Sequence, residues 1–156
     1  MNDFHENLVS LDEALTLDGM FASRVRRSPE RDAYRYFDRN DQSWHTHSWA
    51  DMGRHVARWR QALAGEGLPK GARVAVQLRN CPEWVMFDQA ALSLGLVTVP
   101  LYTDDRPDNI AYILREADVQ VLLVQDAGRW RRLADVVGDS GPLKRVLLLD
   151  DGSVAS

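Results

Sequence analysis

From residue 74 onward, short runs of Val and Leu alternate with segments of helical pattern, and this alternation constrains the fold more than any other feature of the chain. Val74–Leu78 is an apolar strand, Pro82–Leu94 a helix with proline suited to its first turn, and Leu96–Leu101 a second strand. Asp108–Ala117 reads as a helix with Asp108 as its cap or in its first turn, Val119–Val124 as a third strand, Trp130–Val137 as a helix and Val146–Leu149 as a fourth strand. Strand and helix in strict turn predict an α/β fold, a mostly parallel sheet with flanking helices joined by right-handed crossovers (βαβαβαβ). Continuous apolar strands predict burial on both faces.

The first half adds an N-terminal helix and a β-hairpin. Asp12–Leu15 has room for one turn, within a segment 1–15 expected to be loosely ordered. Met20, Phe21, Ala22 and Val25 form a helical stripe that stops before Pro29. Ala33–Phe37 and Ser43–Ser48 read as paired strands around the turn cluster Asp38–Gln42. Ser48 is a natural helix cap, with Asp51 favoured at the positive helix end. Trp49, Met52, Val56, Trp59 and Leu63 recur at spacings of 3, 4, 3 and 4, an amphipathic stripe that Gly65 and Gly67 end. Trp59 is expected to be buried against the sheet or the hairpin.

Charge narrows the function classes. The 156 residues carry 19 basic and 23 acidic side chains, net −4. Each half mixes both signs, which sets nucleic acid aside as a partner. The Arg24, Arg26, Arg27, Arg31 and Arg129, Arg131, Arg132 groups are interleaved with acids and apolar residues and read as solvated helix faces. A single cysteine, Cys81, forbids an internal disulfide and fits a cytoplasmic home, with peripheral membrane association as the other location to consider. No apolar run approaches the ~18 residues of a transmembrane helix, and the acidic Met1–Glu6 does not resemble a secretory signal.

Chemistry is harder to find. Phosphate sites need glycines after a strand so that backbone N–H groups can approach. Arg79-Asn80-Cys81-Pro82 and Tyr102-Thr103-Asp104-Asp105 have none, and Gln125-Asp126-Ala127-Gly128 has one. Gly138–Lys144 has glycines at the wrong spacing and reads as a turn. His45 and His47 share one side of a strand, as metal ligands do, but no third ligand is visible beside them. Cys81 precedes a helix start, where a thiolate is favoured, without an adjacent histidine; a buried structural thiol is the simpler account. Arg79, Asn80, Tyr102 and Thr103 follow the carboxyl ends of strands, where open α/β sheets bind ligands; capping and loop-pinning are the simpler account of them, and Asn80 suits a cap or turn before Pro82. No residue is assigned to catalysis, cofactor binding or a metal.

Two stretches carry a likeness. Gly71-Ala-Arg-Val-Ala-Val-Gln-Leu-Arg-Asn-Cys-Pro-Glu-Trp84 is one; Gly95-Leu-Val-Thr-Val-Pro-Leu-Tyr102 followed by Asn109-Ile-Ala-Tyr-Ile-Leu114 is the other. With Thr16–Pro29 and His47-Ser48-Trp49-Ala50-Asp51, they resemble the beginning of an AMP-forming acyl-CoA synthetase of the adenylate-forming superfamily, over roughly residues 16–125. Pro100-Leu101-Tyr102-Thr103 resembles the long-chain fatty acid–CoA ligase branch.

The resemblance implies an enzyme that joins a fatty acid carboxylate to ATP with Mg²⁺, releases pyrophosphate, and passes the acyl group from AMP to the thiol of CoA. It also implies that this chain is the N-terminal subdomain alone, residues 16–150, with 151–156 a truncated linker or tail. The family's Ser/Thr/Gly-rich phosphate loop, Mg²⁺ carboxylate, ribose-binding Asp and C-terminal Lys have no counterpart in these residues. The chain is therefore expected to be inactive alone, to bind none of ATP, Mg²⁺ and CoA, to have the remainder of a synthetase as partner, and to self-associate when isolated. The rival is a free-standing doubly wound binding or regulatory module. A receiver would need an acidic cluster and a phosphorylatable aspartate, for which Asp126 is a loose candidate; a flavodoxin would need a phosphate loop.

Overall fold

The computed structural model describes residues 8–138 and 141–150. Parts of the expected N-terminal segment and of the Gly138–Lys144 turn, and all of the 151–156 tail, lie outside the described residues. The chain divides into two compact units, residues 1–67 with 85–94 and residues 68–84 with 95–156.

In the first unit, α1 (Leu11–Ala14) and α2 (Leu17–Arg27) start at Ser10 and Thr16, whose hydroxyls accept from Glu13 N and Gly19 N at 3.2 Å each. The expected α2 stripe needs correcting: Met20 is exposed, and Ser23 is fully buried. The Ser23 hydroxyl donates to the Glu13 carboxylate, a buried polar contact outside the expected stripe.

β1 (Asp32–Asp38) and β2 (Ser43–Ser48) form a separate antiparallel two-stranded sheet, with Tyr36 opposite His45 and Phe37 opposite Trp44. α3 (Trp49–Gly65) opens with a capping box: Ser48 Oγ accepts from Asp51 N at 3.1 Å, and Asp51 Oδ2 accepts from Ser48 N at 2.9 Å. Met52, Val56 and Leu63 are buried, as the stripe predicts. Trp59 departs from its expectation. It is half-buried rather than buried, and its ring meets Phe87 of α4 (Pro82–Ser93) edge-on. Gly53 lets α2 come close, since a Cβ there would lie 2.9 Å from Val25 Cγ1.

The second unit holds the predicted parallel sheet. Its strands are β3 (Arg73–Gln77), β4 (Val97–Pro100), β5 (Val119–Asp126) and β6 (Arg145–Asp150), in the order β4-β3-β5-β6. Val74 aligns with Thr98 on one side and Val121 on the other, and Val121 with Arg145. α5 (Pro107–Glu116) and α6 (Ala127–Val137) pack on one sheet face: Ile110, Ala111, Leu114, Leu133 and Val137 meet Ala75, Leu122 and Val124. Val74, Val76, Val121 and Leu123 alternate to the other face and are also fully buried.

Burial on both faces thus holds for β3 and β5. β4 and β6 are half-buried in the middle and exposed at their ends, and among the described residues each pairs with one strand. α6 begins three residues before the expected Trp130, because Asp126 caps it. No helix among the described residues is long and apolar enough to cross a membrane.

Candidate functional site

The sheet starts at β3, steps one way to β4, then crosses to β5 and β6 on the other side. In a doubly wound sheet this places the ligand-binding crevice outside the carboxyl ends of the first and third strands, here β3 and β5. The segments at that rim are Leu78–Cys81 after β3, Leu101–Asp105 after β4, and the junction of β5 with α6 at Asp126.

Gln77 ends β3 and is 1% exposed. Its Nε2 donates to the Tyr102 carbonyl at 3.1 Å, tying the β3 end to the segment after β4. Its Oε1 is buried with no hydrogen-bond partner. Arg129 of α6 donates from Nη1 to the Thr103 carbonyl at 2.5 Å. Tyr102 is thereby held with its side chain in solvent, 85% exposed. Loop-pinning is thus what the structure assigns to the backbone of Tyr102 and Thr103, while Arg79 and Asn80 are exposed.

The α6 N-terminus at this rim is capped from within the chain. Asp126 Oδ1 accepts from Arg129 N at 2.7 Å, which identifies Asp126 as a cap and not as a receiver aspartate. Asp105 Oδ1 accepts from Arg106 N at 2.8 Å, and the Asn109 amide donates to the same carboxylate at 3.1 Å. The Asp126 carboxylate lies where a phosphate at α6 would need bare N–H groups, whereas α5 has no side-chain cap.

Asn80 and Cys81 form the bend before α4, with Cys81 directly preceding the helix. Proximity to a helix start does not make it a thiolate. Burial pushes its pKa up to about 11, against a smaller opposite effect of the Trp84 backbone N–H.

The histidine pair is also redistributed. Tyr36 stacks between His45 and His47, at centroid distances of 5.6 and 5.1 Å, and His47 packs on His55. The residues that approach His45 as ligands would are Asp38 and Asp41, with ligand atoms within 4.8 Å of one another. Those carboxylates already serve the turn: Asp38 accepts from Asn40 N, and Asp41 from Ser43 N, Ser43 Oγ and the His45 ring. The Ser43 and His45 hydrogen bonds lower the Asp41 pKa. The arginine groups are likewise engaged within the chain: Arg27 pairs with Glu13 at 2.9 Å, and Arg131 donates to the Ala127 carbonyl.

Sequence reasoning missed Gln77, although one amide inside Val-Ala-Val-Gln-Leu was a signal. It also missed Asp38 and Asp41 as neighbours of His45, since turn geometry and not strand alternation joins them.

Comparison with known proteins gives three results. Residues 21–156 match the AMP-binding enzyme family. The chain is 34% identical over 82 residues to long chain acyl-CoA synthetase 6, peroxisomal, of Arabidopsis thaliana, covering 53% of this chain and 11% of that protein. It is 25% identical over 107 residues to the long-chain-fatty-acid–CoA ligase FadD15 of Mycobacterium tuberculosis, covering 69% of this chain and 18% of that one. A solved Mycobacterium tuberculosis fatty acyl CoA synthetase superposes with a TM-score of 0.73 at 23% identity, over 85% of this chain and 26% of that one, and supports the fold. The chain thus spans a fifth or less of the length of the curated relatives it matches.

Proposed function

This chain belongs to the AMP-binding enzyme family, and from that premise we propose that it is the N-terminal portion of an ATP-dependent fatty acid–CoA ligase, not catalytic by itself. The observation that carries the proposal is the family match over residues 21–156, joined to relatives described as long-chain acyl-CoA synthetases. The complete enzyme would convert a fatty acid and ATP, with Mg²⁺, to acyl-adenylate and pyrophosphate, then move the acyl group to the thiol of CoA.

This portion contributes scaffold. Its sheet presents Tyr102 and the exposed Arg79 and Asn80 at the carboxyl rim, and Gln77 and Arg129 hold that rim in shape. At this rim Asp126 caps α6 from within the chain, which supports leaving nucleotide binding to the rest of the ligase. The remainder of the ligase supplies the nucleotide and metal ligands and is the partner this portion needs. The single cysteine, Cys81, supports a cytoplasmic location.

Isothermal titration tests the division of labour. MgATP titrated into this chain should give no binding heat, and MgATP titrated into the chain extended along its reading frame should give saturable heat. Saturable binding to this chain alone would overturn the proposal.

A further inference from the structure

Among the described residues of the second unit, Gln77 is the only buried polar residue. The residues before it in β3, Val74, Ala75 and Val76, are apolar and fully buried. By alternation Gln77 shares the sheet face of Ala75, on which α5 and α6 pack. A leucine would suit that face and would leave no carbonyl oxygen without a partner, as Gln77 Oε1 is left. An unpaired buried acceptor costs more than one ordinary hydrogen bond returns. Packing and stability therefore do not account for an amide at this position.

The amide fixes the segment after β4. Leu101 N donates to the Val76 carbonyl at 2.9 Å, which extends the β3 pairing by one residue. Gln77 Nε2 then holds the Tyr102 carbonyl at 3.1 Å, and Arg129 Nη1 holds the Thr103 carbonyl at 2.5 Å. Side chains from β3 and α6 thus grip successive residues of one loop, at the rim where such a sheet binds its ligand. Between Leu101 and Asp105 that loop offers the Tyr102 ring and two carboxylates, Asp104 and Asp105, with no cation. Those carboxylates repel phosphate, so the part of a ligase substrate that suits the loop is uncharged and apolar.

We infer that Gln77 is a positioning residue of the ligase, acting through Tyr102 to seat the hydrocarbon chain of the fatty acid. The inference rests on the ligase reading above. A ring fixed before the substrate arrives need not be ordered at binding, and that saving appears as affinity.

Steady-state pyrophosphate release by the chain extended along its reading frame past Ser156, with hexadecanoate and MgATP, tests this. The proteins are wild type, Gln77→Leu, Gln77→Met, Tyr102→Ala, and Gln77→Leu with Tyr102→Ala. Thermal melts check that each is folded, and Gln77→Met stands in if the leucine variant is not. Each Gln77 variant should raise KM for hexadecanoate about fivefold, and Tyr102→Ala about tenfold, with kcat and KM for MgATP within about twofold of wild type. Because Gln77 acts through Tyr102, the double variant should match Tyr102→Ala within about twofold, where independent effects would multiply to about fiftyfold. A hexadecanoate KM that withstands the Gln77 changes, a shift in KM for MgATP in its place, or a double variant at the independent value overturns the role of Gln77 and leaves the ligase reading standing. A wild type silent with every fatty acid overturns the ligase reading, and this inference with it.

Discussion

Trp59 meets Phe87 edge-on, with ring centroids 5.6 Å apart and planes at 89°. The pair joins the amphipathic face of α3 to α4, and its two members are unequally buried: Phe87 fully, Trp59 by half. Phe87→Ala should therefore cost about 3–5 kcal/mol as a core truncation. Trp59→Ala should cost less, about 2 kcal/mol. The double variant should fall short of additivity by about 0.5–1.5 kcal/mol, the worth of an edge-on aromatic contact. Urea melts of the four proteins give all three values, and additive losses would mean the rings do not interact.

The α3 cap should be visible in the pH dependence of stability. The Ser48 hydrogen bonds, with a smaller share from Arg54, lower the Asp51 pKa below its usual 3.8. The unfolded chain then binds a proton at Asp51 more readily than the folded one. Its contribution is complete above the unfolded pKa and is lost as pH falls through the lower folded value. Ser48→Ala removes the cap hydroxyl and should cost about 1 kcal/mol at neutral pH. That difference should shrink in melts carried out at successively lower pH.

Cys81 should behave as a slow nucleophile. Its pKa of about 11, set first by burial, leaves almost no thiolate at neutral pH. Alkylation by iodoacetamide should lag behind that of a free thiol, whose pKa is about 8.5. The rate should still be climbing when the free thiol has reached its plateau. A plateau near the free-thiol value would show that the sulfur is not buried.

Gln77 offers a contrast between two substitutions. Gln77→Leu gives up the hydrogen bond to Tyr102 but also removes an unpaired buried carbonyl, so stability should change by less than about 1 kcal/mol. Amide exchange over residues 101–105 should quicken as the tie is lost. Gln77→Glu places a carboxyl at a site 1% exposed, where folding raises its pKa. It should cost about 3 kcal/mol at neutral pH. Stability should recover as pH falls and the carboxyl is protonated, the opposite direction from Asp51.

The parallel sheet was legible because β3 and β5 are buried on both faces and, Gln77 apart, fill their buried positions with apolar residues. Strand order was not legible, since nothing in the Val/Leu runs says which strand pairs with which. α3 was legible down to its cap, because Ser48 and Asp51 are a local signal. The burial of Ser23 was not legible because its hydroxyl is satisfied by Glu13, ten residues away. The start of α6 was missed because Asp126 closes the strand and caps the helix at once. At the candidate site, the rim segments after β3 and β4 could be named from the sequence. The tie from Gln77 to Tyr102 spans 25 residues, and only the fold brings the two together.

Pyrophosphate release tests the ligase assignment most directly. The chain as it stands and the chain extended along its reading frame past Ser156 are each given ATP, Mg²⁺ and a panel of fatty acids, with a protein-free control. The account predicts fatty-acid-dependent release from the extended protein and none above the control from residues 1–156. Release by residues 1–156 alone, or an extended protein silent with every fatty acid, would contradict it.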